Sequence, residues 1–249
     1  MNHLFHPWWS RQHGAYITLL TAWLASAIAG QRLHWLHVPI LIMLLSGFNF
    51  SELAAEGFRR KSPLPQNKKF WMLVYLIFLV ASGLITFWFH PLLKFFIPFF
   101  SVGLLLFTLL SLRRMQKSTL FEIIIFGLFA LAGLLAFLPG GEPDTPKMTR
   151  LFLAMWLYFC VSIFTVKVRL KKLPPYSSFA YGLISILLLY LVEMRTIAIL
   201  LSLLMAVKAF PIALFPEKYE RLKIGTIGIM ESVSHLAFFV LIWICSDSL

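Results

Sequence analysis

The run WMLVYLIFLVASGLITFWF, residues 71–89, carries no charged side chain. Its length is close to the roughly 20 residues that take an α-helix across the hydrocarbon core of a bilayer. Lys68-Lys69 precede it and His90-Pro91 follow. The same pattern repeats on both sides. Similar apolar runs lie near 14–30, 36–54, 92–112, 119–138, 149–166, 177–194, 196–215 and 226–245, about nine in all. Lys and Arg concentrate in alternate gaps. Sixteen of the 22 lie in the N-terminus and the second, fourth, sixth and eighth gaps; five lie on the other side, and Lys208 lies inside a span. Basic residues stay cytoplasmic during insertion, so the N-terminus is expected in the cytoplasm and the C-terminus outside. The expectation is an all-α membrane protein of the bacterial cytoplasmic (inner) membrane, a bundle of about nine transmembrane helices in one polytopic domain, 1–249.

Composition agrees. Hydrophobic residues make up 60% of the chain and charged residues 13%, far from soluble averages. A formal charge of +12 in a soluble protein would suggest nucleic acid. Here the cations are spread over short loops, where they set orientation and meet anionic lipid. Membrane lipids are therefore expected as partners and nucleic acid is not. Cys160 and Cys245 fall in different apolar runs without metal-type spacing and read as packing residues. The first run is followed by Gln31-Arg32 rather than a small-residue cleavage site, so no cleavable signal peptide is expected. Seven His raise the question of haem, which needs two axial ligands at matched depth. His13 belongs to the inner surface, His34, His37 and His90 to the outer one, and only His235 lies inside. No axial pair results. Some of the 25 Phe and 8 Trp could line a prenyl or quinone channel; most are expected to face lipid or core.

The inside loops carry the polar chemistry. One runs from Asn49 to Pro65 through Glu52, Glu56, Arg59-Arg60-Lys61 and Pro63-Leu64-Pro65. Its counterpart, four helices later, runs from Thr165 to Pro175 through Lys167, Arg169, Lys171-Lys172 and Pro174-Pro175. Both leave a helix, pass a basic cluster and stop at a proline pair, which removes a donor and fixes φ. This suggests an internal pseudo-repeat, 14–112 and 119–215, plus a final helix 226–245. The plainer reading is that any inside loop is basic and any loop can hold prolines.

Nine helices with special loops after the second and sixth resemble the intramembrane prenyltransferases of the UbiA superfamily. There the second helix ends in Asn-Asp-x-x-Asp-x-x-x-Asp, followed by a basic stretch and Arg-Pro-Leu-Pro. Asn49 matches in type, Pro63-Leu64-Pro65 matches well, and Glu56 falls within a residue of the last acid. Phe50 and Leu53 stand where the first two Asp should be, and the second loop, with Lys167-Val168-Arg169-Leu170-Lys171, has no acid. A closer resemblance is to the YwiC-like family of bacterial membrane proteins. It is carried by Gln12-His13-Gly14-Ala15-Tyr16, by Val166-Lys167-Val168-Arg169, and by Lys223 with Ile227-Gly228-Ile229-Met230-Glu231.

These resemblances imply a UbiA-like protein with a cytoplasm-facing cavity for an isoprenoid, quinone-type or other lipid-soluble anionic substrate, a degenerate prenyltransferase with atypical metal use. The alternative is a non-catalytic transporter, anchor or assembly factor. Allylic diphosphates ionise when the leaving group is neutralised, normally by Mg²⁺ held on carboxylates. Glu52 and Glu56, four apart on one helical face, are the expected metal ligands and suit one Mg²⁺ at most. Lys167 and Arg169, nearest the helix end, are expected to contact phosphate directly, unless they serve only to set topology. Asn49 and Lys223 complete that set through the family motifs. Gly14 permits close approach at the mouth of the first helix, so His13 is a candidate for an anion there, though capping explains it as well. Within the spans, Glu231 and His235 lie four apart on the last helix, at about the depth of Lys208 on the eighth. Glu231 and His235 are the candidate catalytic groups and Lys208 a candidate substrate contact. The competing role is a Lys208–Glu231 ion pair that holds two helices together.

Overall fold

The computed structural model describes residues 7–10, 13–60, 62–112, 118–141, 143–192 and 194–246. Among these, every regular element is helical: α1 (His13–Ala29), α2 (His37–Arg59), α3 (Gln66–Phe89), α4 (Ile97–Leu112), α5 (Thr119–Gly133), α6 (Thr145–Arg169), α7 (Tyr176–Leu191), α8 (Arg195–Leu214), α9 (Pro216–Arg221) and α10 (Ile224–Ile244), with 3₁₀ turns at Pro91–Phe96, Leu134–Ala136 and Leu138–Gly140. Each of the nine apolar runs is helical over most of its length. Six helical stretches are long and apolar enough to cross a membrane: His37–Arg59, Gln66–Phe89, Thr119–Gly140, Thr145–Arg169, Arg195–Leu214 and Gly225–Ile244. Gly14–Ala29, Pro91–Gly103 and Tyr176–Leu191 are apolar but shorter. At 1.5 Å per residue, 16 residues (Tyr176–Leu191) span only about 24 Å of a core about 30 Å thick.

The helix ends follow the local chemistry. Ser118 accepts from Phe121 N at 3.2 Å to open α5, and Asp144 accepts from Lys147 N at 2.9 Å to open α6. Pro65 precedes α3 and Pro175 precedes α7. The α6 terminus closes with Lys172 N donating to Lys167 O at 2.9 Å, and Lys171 adopts φ 56°. That conformation usually belongs to glycine at a helix C-terminus.

Helix α1 packs against α2, α5, α6 and α10. Its interior face is built of small residues, with Ala22, Ala25 and Ala29 buried beside Leu19. A Cβ on Gly133 of α5 would lie 2.6 Å from Ala22 Cβ and 2.7 Å from its backbone, so the absence of side chains lets the two helices meet. Outside, α3 presents Leu73, Ile77, Leu84 and Trp88, the last 81% exposed, while α8 presents Ile199, Leu203 and Val207. An apolar exterior of this extent fits hydrocarbon rather than water. The chain is therefore a multi-pass, helical membrane protein.

Candidate functional site

Tyr158, Ser162 and Thr165 lie at i, i+4 and i+7 on α6, one face of the helix, and that face meets Lys208 of α8 and Glu231 of α10. Lys208 Nζ lies 2.5 Å from Glu231 Oε2, and the two side chains are only 7% and 14% exposed. Ser162 Oγ donates to the same oxygen at 2.6 Å and accepts from Lys208 Nζ at 2.7 Å. Thr165 Oγ1 lies 2.8 Å from Glu231 Oε1. The ammonium also sits 5.2 Å over the Tyr158 ring. Desolvating two charges costs more than their attraction returns unless further hydrogen bonds satisfy them. Two hydroxyls and one aromatic face supply that here.

His235 stands one turn farther along α10. Its Nδ1 lies 2.7 Å from Glu231 O, and its Nε2 lies 3.3 Å from Thr18 Oγ1 on α1. A carbonyl opposite Nδ1 assigns the proton to that nitrogen. The imidazole stacks on Phe159 with centroids 5.4 Å apart, and Tyr158 stacks on Phe238 at 4.3 Å. Tyr158 donates to Ser234 O at 2.7 Å. Polar groups from α1, α6, α8 and α10 thus meet inside an apolar bundle.

On the side of the α6 C-terminus the centre is closed by α9. Tyr219 is 5% exposed, with Thr165 and Glu231 as neighbours. Burial, with the Glu231 carboxylate nearby, pushes the Tyr219 phenol up to about 12, so it stays protonated at physiological pH. Arg169 Nε donates to Leu222 O at 3.0 Å, and Lys171 Nζ lies 2.8 Å from Glu220 Oε2.

The other candidates occupy separate contacts. Asn49, fully buried, accepts from Ser10 N at 3.3 Å and from the Tyr16 hydroxyl, and donates to Leu45 O at 2.9 Å. With the Tyr75 hydroxyl donating to Trp8 O, it ties the segment ahead of α1 onto α2 and α3. Glu56 is paired with Arg60 at 2.9 Å and Lys68 at 2.6 Å. Its carboxylate therefore serves an ion-pair cluster in this arrangement. Glu52 is half-buried one turn away. Among the described residues, no three His, Cys, Asp or Glu side chains gather as a metal site. Lys167 lies 3.0 Å from Glu122 Oε2 and donates to Thr119 Oγ1 at 3.0 Å, clasping α6 to the start of α5. Lys223 is exposed at the start of α10, where its carbonyl accepts from Ile227 N at 3.2 Å. His13 opens α1, and its side chain lies outside the described residues. A groove of about 570 Å³ lies at the opposite end of α6, lined by Gly30, Gln31, Asp144 and Lys147 among others, and contains none of the expected site residues.

Lys208, Glu231 and His235 thus come together, whereas Asn49, Glu56, Lys167 and Arg169 each serve a different contact. Tyr158, Ser162, Thr165, Thr18 and Tyr219 were not expected. The i, i+4, i+7 spacing of the first three on α6 is the signal that marks them.

The family described as YwiC-like protein matches residues 9–137, just over half of the chain. The match covers α1 to α5 and ends before α6, so Thr18 is the one member of the buried centre that lies within it. No curated protein and no solved structure matches the chain.

Proposed function

We propose that this chain, which belongs to the YwiC-like family, holds the polar head of an isoprenoid or quinone-type lipid at the Lys208–Glu231–His235 centre. In this reading it is a nine-span protein of the bacterial cytoplasmic membrane, with its N-terminus in the cytoplasm and its C-terminus outside. The observation that carries the reading is the buried pair itself, Lys208 Nζ to Glu231 Oε2 at 2.5 Å. Ionisable side chains are costly inside a bilayer, face cavities or partners, and mark functional sites. Lys208 offers a cation to an anionic or carbonyl head, Glu231 and His235 offer groups that can take or give a proton, and the fully buried rings of Tyr158, Phe159 and Phe238 pack around them. The Pro63-Leu64-Pro65 loop and Asn49 support kinship with UbiA-like prenyltransferases. The absence of acids in the Lys167–Lys171 stretch argues for a degenerate member that does not run two-metal transfer.

A second reading, a non-catalytic transporter, anchor or assembly factor, is favoured by one observation. Both oxygens of Glu231 are already engaged within the chain. Mass spectrometry of lipids extracted from the purified protein separates the two. An isoprenoid or quinone at near-stoichiometric level, retained through EDTA washing and depleted in Glu231→Gln, is the expected result. Phospholipid alone would assign the centre to the second reading.

The orientation is supported by the sixteen cations on one side against five on the other. Reporter fusions at the loops around 60, 115, 170 and 220 are expected to be cytoplasmic, with a fusion at Leu249 outside. A cytoplasmic C-terminus would remove one span and overturn the nine-span reading.

A further inference from the structure

We propose that α9 is a cytoplasmic gate over the Lys208–Glu231 centre, with Tyr219 as its stopper and the Lys171–Glu220 pair as its latch. The inference rests on the reading above only in taking that centre as the functional one. Helix α9 is six residues long, opened by Pro216 and followed by an extended Leu222. Its one buried residue is Tyr219; Glu217, Lys218 and Arg221 are exposed. Tyr219 packs with Val168, Ile212 and Ile227, flanked by Leu173 and Leu222, in a cluster separate from the main core. It neighbours Thr165, whose hydroxyl donates to Glu231 Oε1 at 2.8 Å. The Tyr219 ring therefore lies on the α9 side of the buried carboxylate.

The attachments of this element are weak compared with those of the centre it covers. Lys171 is 74% exposed where it pairs with Glu220, and exposed pairs contribute little because water screens them. Lys171 reaches Glu220 from a left-handed backbone, φ 56°, a conformation unfavourable for a residue with a Cβ. Swinging α9 away breaks the Arg169–Leu222 hydrogen bond and exposes a small satellite cluster, and it leaves the main core packed. Segments with few buried contacts and exposed bonds open at low cost. Lys171, on the loop after α6, and Glu220, on α9, line a surface groove with Glu217 and Arg221, so charges of both signs stand at the outer face of Tyr219.

The test is thiol accessibility in the full-length protein. Val168→Cys, in a Cys160→Ala, Cys245→Ser background, places a reporter beneath Tyr219. A charged methanethiosulfonate is added to inverted membrane vesicles, and its reaction rate is read. The reporter with an intact gate should react slowly. Glu220→Lys should raise the rate by about 5-fold, the upper range for losing an exposed pair, and adding Lys171→Glu should restore the slow rate. Tyr219→Ala should raise it by at least about a hundredfold, as expected for emptying a buried aromatic site, whereas Tyr219→Phe, which keeps the ring, should raise it by no more than about 10-fold. The charge-swap restoration excludes misfolding, since a collapsed protein would not return to slow labelling. If Tyr219→Ala left the reporter protected, α9 would not be the gate. If Glu220→Lys accelerated labelling and the swap failed to restore it, the latch would be overturned. Because labelling is read without any ligand, finding only phospholipid in the extracts would overturn the proposed ligand and leave the gate standing.

Discussion

Lys208→Ala should destabilise the protein by about 3–5 kcal/mol, the usual cost of stranding one charge of a buried pair. Glu231 would keep Ser162 and Thr165 as neutral donors but lose the cation 2.5 Å away. The same change removes the ammonium from over Tyr158, and α8 loses its ionic tie to α6 and α10. Thermal unfolding of the detergent-purified protein, followed by circular dichroism, reads the loss. The informative comparison is the double variant Lys208→Met, Glu231→Leu. Removing both charges removes the desolvation cost along with the attraction, so replacing such pairs by apolar residues is often neutral or stabilising. The double variant should therefore recover most of the stability. It should also lose the extracted isoprenoid or quinone, which separates a site from a helix clamp. A Lys208→Ala protein as stable as the parent would show that the pair is not desolvated.

Gly133→Leu should cost about 3 kcal/mol, the upper part of the range for overpacking a tight interior. Its Cβ would lie 2.6 Å from Ala22 Cβ and 2.7 Å from the Ala22 backbone. Relief requires α1 to move away from α5, and α1 also touches α2, α6 and α10, so the strain is shared across the bundle. Small residues at such contacts let membrane helices approach closely, and packing is the main attraction available in lipid. The expected readout is loss of the monodisperse peak on gel filtration and a lowered unfolding midpoint. Gly182→Ala in α7 is the control. Nothing lies within 4 Å of its added Cβ, and alanine is the better helix former by about 1 kcal/mol, so stability should hold or rise.

Hydropathy made the nine helical runs legible because the bilayer imposes one length and one polarity on every span. Depth matching along two antiparallel helices was enough to pair Lys208 with Glu231. What stayed hidden depends on the rotation of helices about their own axes. The N-terminal cap on Asn49 needs Ser10, Tyr16 and Asn49 to converge, and the last two lie 33 residues apart. Lys167 reads as a phosphate contact until Glu122, at the start of α5, is seen beside it. The stretch 216–221, with two acidic and two basic side chains, lies in a gap between apolar runs, and only the structure reveals a helix there, with Tyr219 buried in its satellite cluster. Three helical runs, Gly14–Ala29, Pro91–Gly103 and Tyr176–Leu191, fell short of bilayer length, which an apolar composition alone does not reveal.

The central place of α1 has a consequence for how the protein is made. This helix leaves the ribosome ahead of α5 and α10, yet it rests on both, and its Thr18 meets His235 across 217 residues of chain. Contacts between such distant segments are slow to form, since the intervening chain must be ordered before they can reward it. During synthesis, at about 5–20 residues per second, α1 must therefore wait for tens of seconds until its last partner is inserted. In that interval an Ala-rich face, shaped for protein rather than lipid, lies open to any neighbour of similar shape. The order of synthesis thus sets α1 well ahead of the partner on α10 that its Thr18 meets.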